Sequence, residues 1–408
     1  MQIPLIETKD FFYELPEDRI AKYPLEIRNS SKLLIYKDNE ITETVFSNIY
    51  KHIPSDYLLI FNDTKVLPAR MHFQKKTGAI IEVFLLEPFE PKEYNQNLNK
   101  TKSCEWLCFV GNAKKWKEND ILTKTLIING EEIVVNANKI SSQQNAFVIR
   151  FEWSGNLPFL DILNYIGNIP IPPYLKRETE AIDLDRYQTV FSKYLGSVAA
   201  PTASLHFTNE EFSQFNNKGI HFTYLTLHVG AGTFKPMNSK YIHEHELHTE
   251  FFQVNKECIE KIIQYYPKII AVGTTALRAL ESIYHAGNLL LNHEKNFNFI
   301  PQWCEYDLFD KKTPIFATNA LFNYLSDNQL NKLDLRTQIM ISPGYQVKMA
   351  EGIVTNFHQP QSSLLALVSS IVGDDWHKIY DYALKNQFRF LSYGDSSLLW
   401  KNKKEAVS

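Results

Sequence analysis

Two stretches hold most of the residues able to do chemistry: Asp185–Thr208 (DRYQTVFSKYLGSVAAPTASLHFT) and Tyr224–Met237 (YLTLHVGAGTFKPM). Each joins small residues, hydroxyls, a cation and a histidine at the end of a strand-like run. That mixture builds no core; it builds a pocket where a polar ligand lies close to backbone. His206 and His228 are the candidate general bases, because imidazole titrates near neutrality. Gly230 and Gly232 beside His228 let a sugar or backbone come close and favour it, while Thr202 and Thr233 add hydroxyls. Gly230-Ala-Gly232 is no dinucleotide fingerprint, since Phe234-Lys235-Pro236 follows where a helix would have to run. The turn Asn62–Arg70 (NDTKVLPAR) supplies an acid, Asp63, with the cations Lys65 and Arg70.

Ile269–Ser282 (IIAVGTTALRALES) reads as a buried strand, a turn at Gly273, and a helix from Ala276 capped by Thr274 or Thr275. Its N–H groups and Arg278 suit a carboxylate or phosphate, and an ordinary capped helix is the plain alternative. Tyr241–Glu250 (YIHEHELHTE) lacks the His-Glu-x-x-His spacing of zinc proteases, so His245, His248 and Glu250 are expected to contact a substrate rather than a metal. As a strand it would set His243 and His245 on one face and His248 and Glu250 on the other. Gly352–Ser363 (GIVTNFHQPQSS) offers Asn356 and His358 at a strand end and Ser362 as a helix cap. Arg389–Asp395 (RFLSYGD) offers Tyr393 and Asp395, or is simply a surface turn. Nucleophile elbows, phosphate-binding Gly-Lys loops and paired Cys-x-x-Cys motifs are missing from the sequence.

The elements that must position these residues follow from length and pattern. A chain of 408 residues favours two domains. With 44% apolar and 22% charged residues it reads as a soluble globular protein, and a net charge of -3 argues against nonspecific coating of nucleic acid by a basic surface while leaving room for a local basic patch. Cys104, Cys108, Cys258 and Cys304 form no ligand set and read as buried thiols of a reducing, cytoplasmic compartment. No signal peptide or membrane span is expected from the N-terminal residues or the apolar runs.

A short helix Pro16–Tyr23, a hairpin of Lys32–Tyr36 with Glu40–Val45, and a buried strand Tyr57–Phe61 open the chain. Residues 68–154 change to short β-rich runs, with Glu90–Lys102 as a mobile polar loop. They suggest a small antiparallel barrel or sandwich inserted into a larger domain. From 155 on, strands Ser197–Ala200, Phe222–Val229, Lys268–Val272 and Gln338–Ile341 alternate with helices. The fold class is an α/β main domain, residues 1–67 and 155–408, carrying an inserted all-β domain at 68–154.

The stretches YELPEDRIAKYPLEIRNSSKLL, FNDTKVLPAR, IPPYLKR, DRYQTVF with GSVAAPTASLHFT, LTLHVGAGTFKPM, HELHTE, AVGTTALRALES, PGYQVKMAEGIVTNFHQPQSSLLALV and RFLSYGD closely resemble the S-adenosylmethionine:tRNA ribosyltransferase-isomerases of queuosine biosynthesis. The resemblance implies a barrel-like α/β domain with an inserted β-barrel. It also implies transfer and isomerisation of the ribosyl unit of S-adenosylmethionine onto 7-aminomethyl-7-deazaguanine at the tRNA wobble position. Epoxyqueuosine, adenine and methionine would be the products. The sulfonium acidifies the ribose C5′ hydrogens, so a protein base can start the reaction, with S-adenosylmethionine as co-substrate and neither cofactor nor metal. The partner would be a tRNA anticodon stem-loop, docked on Lys65, Arg70, Lys176, Arg177 and Lys235, with Tyr393 stacking on the wobble base. A monomer or weak dimer is expected.

The chain departs from the family at Lys32, Lys65 and Lys235, where Arg is usual, and at Gln361, where Lys is usual; the stretch between Ser282 and Thr337 is also long. Two other readings therefore stand beside the first: a divergent paralogue acting on another nucleobase amine, and a catalytically weak RNA-binding protein.

Overall fold

The computed structural model describes residues 3–117, 119–143, 145–230, 236–307 and 310–402. Its centre is a ten-stranded mixed sheet. Four parallel strands form the middle, in the order His221–His228, Leu58–Asn62, Ile269–Val272 and Gly352–Asn356. Glu250–Asn255 and Lys332–Thr337 extend it antiparallel on one side; Ser396–Trp400, Lys32–Lys37 and Glu40–Val45 extend it on the other.

The three inner strands are mostly apolar and buried along their length because both faces are covered. Leu58, Ile60, Ile269, Ala271 and Ile353 enter one core; Leu59, Phe61, Ile270, Val272 and Val354 enter another. Helices Lys256–Tyr265, Thr274–Leu291, Pro314–Asp327 and Ser363–Val372 fill the first core, and Asn209–Lys218 lies on the second. The fold is thus mixed α/β.

A second, seven-stranded antiparallel sheet has its own core around Trp106, Phe151 and Phe159. It runs from Arg70–Gln74 to Ala146–Trp153 and also takes Gly167–Asn168, which pairs with Arg70 and Met71. Helix Phe159–Ile166 buries its apolar face in that core, so the second core reaches past residue 155.

Several expectations need correction. Pro16–Tyr23 is only a 3-10 turn at Glu17–Arg19, three residues that bury no side chain to hold a longer helix. Glu90–Lys102 is a loop in part: Tyr94–Leu98 is helical, capped by the Glu93 side chain and anchored by buried Asn97 and Leu98. The strand expected at Ser197–Ala200 is Tyr194–Ser197, paired with Thr64–Val66, and the one expected at Gln338–Ile341 is Lys332–Thr337. Tyr241–Glu250 is no strand; a 3-10 turn at Ile242–Glu244 leads to a strand that begins only at Glu250. In each case the short apolar run marked burial, but hydrogen-bond partners far along the chain decided which residues joined a sheet.

Candidate active site

The carboxyl ends of the four parallel strands are Asn62, His228, Val272 and Asn356. The antiparallel strands beginning at Glu250 and Ser396, and the parallel strand beginning at Lys32, start at the same edge. Many of the residues singled out from sequence therefore meet there. Two adjoining clefts open at this edge.

The first cleft, about 740 Å3, is lined by Thr202, Thr274, Thr275, Asn356 and His358 among apolar and aromatic walls that include Ala199, Val229 and Phe357. One wall is the start of helix Thr274–Leu291. Its N-cap is Gly273, at φ +94°, rather than either threonine, and no side chain caps it. Thr275 Oγ1 is buried and, among the described residues, unpartnered; so is Asn356 Oδ1. Unpaired polar atoms buried at the wall of a cleft cost free energy unless a ligand satisfies them. The Asn356 amide donates to Leu391 O at 3.1 Å and lies 3.3 Å from His206 Nε2. His358 accepts or donates through Nε2 to Thr355 Oγ1 at 2.9 Å, and burial pulls its pKa down to about 3, leaving a neutral imidazole at pH 7.

The second cleft, about 660 Å3, takes Gly230, His245, His248, Glu250 and Arg278. It shares Leu364 with the first. Arg278 pairs with Glu250 and donates Nε–H to Ile339 O at 3.2 Å, while its Nη2 is buried without a partner among the described residues. Arg278 and the helix start thus line different clefts, because Arg278 lies about one turn, roughly 5 Å, further along the axis. Burial, and then neighbouring His248, lower the pKa of His245.

His206 is buried behind the first cleft. Its Nδ1 is 2.9 Å from Ser31 Oγ, and burial, reinforced by Arg389, Arg28 and Arg186, lowers its pKa to about 3. His228 lies on the opposite face of its strand. Leu225, Leu227 and Val229 enter the first core, so the alternation sends His228 the other way. There its Nδ1 is 3.1 Å from Thr64 Oγ1, its ring is 4.6 Å from Tyr94, and Gly196 leaves room that a Cβ would fill at 2.5 Å. Burial lowers its pKa to about 4. Asp63 shares that face: it accepts from Thr226 Oγ1 at 2.6 Å, and burial raises its pKa to about 6.

Other expected contacts fall differently. Arg177 is not a free cation: it clamps Asp183 through two 2.8 Å bonds and donates to Lys22 O. Tyr393 is buried and donates to Asp183 at 2.7 Å, so it offers no face for a stacked base. Asp395 accepts from the backbone N–H of Lys32 and Arg389 and fixes its own loop. Arg70 lies in the second sheet, 3.7 Å from Glu82, away from both clefts. Lys65 and Lys176 are exposed. Gly232, Thr233 and Lys235 lie outside the described residues. Sequence reasoning gave no role to Arg28, Arg186 or Arg389; Arg186 opens DRYQTVF behind its Asp, but nothing local told that three arginines would converge.

The chain is a mixed α/β protein with clefts at the carboxyl ends of its parallel strands, the place where such folds bind ligands and carry out catalysis. The sequence makes that class specific. The family model described as queuosine biosynthesis protein matches residues 8–399, and the chain belongs to that family. It is 36% identical over 400 residues, 97% of this chain and 100% of the relative, to an S-adenosylmethionine:tRNA ribosyltransferase-isomerase of Legionella pneumophila strain Lens. It is 37% identical over 403 residues, 97% of each chain, to the protein of that name from Buchnera aphidicola subsp. Schizaphis graminum. A crystal structure of S-adenosylmethionine tRNA ribosyltransferase from Thermotoga maritima is 25% identical, with a TM-score of 0.44, covering 96% of this chain and 99% of that one.

Proposed function

We propose that the chain transfers and isomerises the ribosyl unit of S-adenosylmethionine onto 7-aminomethyl-7-deazaguanine at the tRNA wobble position, releasing adenine and methionine. The family match over residues 8–399 carries this reading. The two-cleft geometry supports a division of labour. The first cleft suits the adenosyl end, with unpaired Thr275 Oγ1 and Asn356 Oδ1 available to a base or sugar edge. The second suits the methionine end, where Glu250 and Arg278 complement an ammonium and a carboxylate. Leu364, common to both, is then beside the sulfonium.

The reaction needs a base for a C5′ proton, donors for departing adenine, and exclusion of water. His358 is the base in our reading, because it lines the first cleft, whereas His228 lies on the other face of its strand. The transfer involves no redox change, and we propose that it proceeds without metal or other cofactor. Among the described residues no helix is long and apolar enough to cross a membrane. Acting on tRNA, the protein would work in the cytoplasm.

We read residues 68 to about 168 as an inserted β-barrel unit and the rest as a barrel-like catalytic domain; the separate apolar core and the Gly167–Asn168 pairing support that division. Adenine release from S-adenosylmethionine, measured with and without tRNA bearing the aminomethyl base, tests the function. Release that depends on that tRNA is expected. Release with another nucleobase amine instead would favour the paralogue reading, and none at all the RNA-binding one.

A further inference from the structure

Behind the first cleft lies a third, smaller cavity of about 280 Å3, and Ser392 lines both. Three arginines from three distant segments converge on it: Arg28, Arg186 and Arg389. Ser31 and His206 complete the floor. The arginines are held by backbone carbonyls more than by acids. Arg28 donates to Gln188 O at 2.8 Å and Leu205 O at 3.0 Å, and Arg186 donates to Leu25 O at 2.7 Å. The nearby carboxylates are loosely placed. Asp185 is 3.6 Å from Arg28 with its side chain 86% exposed, and Asp395 is 3.7 Å from Arg389 while occupied by two backbone N–H groups. Arg186 has no carboxylate within ion-pair distance among the described residues. Each guanidinium has five N–H donors, so donors remain beyond the carbonyl bonds.

Carbonyl-anchored guanidiniums are oriented without being neutralised, which is how a preorganised receptor for an oxyanion is built. Burial, and then the charges of Arg389, Arg28 and Arg186, push the pKa of His206 down, so the imidazole beside them stays neutral. The hydrogen bond between His206 and Asn356 ties the cavity to the first cleft, so a bound anion would sit beside whatever occupies that cleft.

We infer that the cavity of Arg28, Arg186 and Arg389 is an oxyanion site that takes a backbone phosphate of the RNA substrate, beside the wobble nucleotide presented to the donor in the first cleft. Its outer rim is the Pro24–Leu25 turn and exposed Asp185, open to a polymer arriving from solvent. The inference rests on the RNA-modifying reading above. A carboxylate has similar chemistry, so the methionine end of S-adenosylmethionine is the competing source.

Direct binding of a synthetic anticodon stem-loop RNA and of S-adenosylmethionine, measured separately, distinguishes the sources. Arg186→Gln removes the charge and, being shorter, also gives up the Nη bonds to Leu25 O and Glu26 O. It should weaken RNA binding about tenfold or more, reduce the salt slope by about one, and leave S-adenosylmethionine binding unchanged. Asp185→Asn guards against misfolding: its exposed side chain carries no core, and removing its charge should tighten RNA binding about two- to fivefold. Unchanged RNA affinity in both variants overturns the site, and a loss confined to S-adenosylmethionine overturns the phosphate assignment. Binding and turnover are read apart: a wild-type protein that binds RNA through these arginines yet releases no adenine refutes the transferase reading alone.

Discussion

Arg177→Ala should unfold more than it unbinds. Arg177 supplies two of the four hydrogen bonds that Asp183 accepts; the others come from Glu180 N–H and Tyr393 O–H. The Asp183 side chain is 0% exposed and that of Arg177 is 9% exposed. Removing the guanidinium leaves a buried carboxylate half satisfied, a change that costs about 3–5 kcal/mol. That is a large share of a total stability of about 5–15 kcal/mol. Lys176, whose ion pair with Glu17 is exposed, is the internal control, and Lys176→Ala should leave the transition where it was.

The assay is urea unfolding followed by circular dichroism at pH 7, repeated toward pH 3. Burial raises the Asp183 pKa, but bonds from Arg177, Glu180 and Tyr393 outweigh it, and the net shift is downward. A carboxylate with a depressed folded pKa stabilises fully above its unfolded value of about 3.9 and loses that contribution as pH falls through the folded value. The gap between wild type and Arg177→Ala should therefore be widest near neutrality and close below about pH 4. A midpoint within error of wild type at pH 7, combined with weakened tRNA binding, would refute this reasoning and restore Arg177 as an RNA contact.

His358→Ala should cut turnover about a hundredfold and His228→Ala much less; the reverse ranking would move the base to the far face of the sheet. Thr275→Val removes a buried unpaired hydroxyl, so the melting temperature should hold or rise while KM for S-adenosylmethionine increases about three- to tenfold. An unchanged KM would make Thr275 a spectator. Asp63 has its pKa raised to about 6, chiefly by burial, so its ionisation opposes folding as pH rises from about 4 to 6. Asp63→Asn keeps an acceptor for Thr226 and should be more stable than wild type above pH 6 by about 2–3 kcal/mol, the advantage vanishing toward pH 4. A pH-independent difference would exclude Asp63 as the titrating group.

The sequence by itself determined the family, the mixed α/β class and the residue types gathered at the site. Those follow from local signals: apolar runs bounded by glycine, threonine and histidine at strand ends, and a β-rich texture between residues 68 and 154. It also led to the expectation that Thr202, Thr274, Thr275, Asn356 and His358 meet a ligand, and the structure lines one cleft with them. Tertiary structure alone decided which way each group points. A one-residue alternation sends Val229 into the cleft and His228 to the other face, and one helical turn separates Arg278 from Thr275. It alone paired Arg177 with Asp183 and consumed Tyr393, and it alone brought Arg28, Arg186 and Arg389 around one cavity. The reason is physical: composition and periodicity report burial and local conformation, whereas a charge becomes a binding group or a structural one according to partners set by packing, some near in the chain as Arg177 is to Asp183 and some far from it as Tyr393 is.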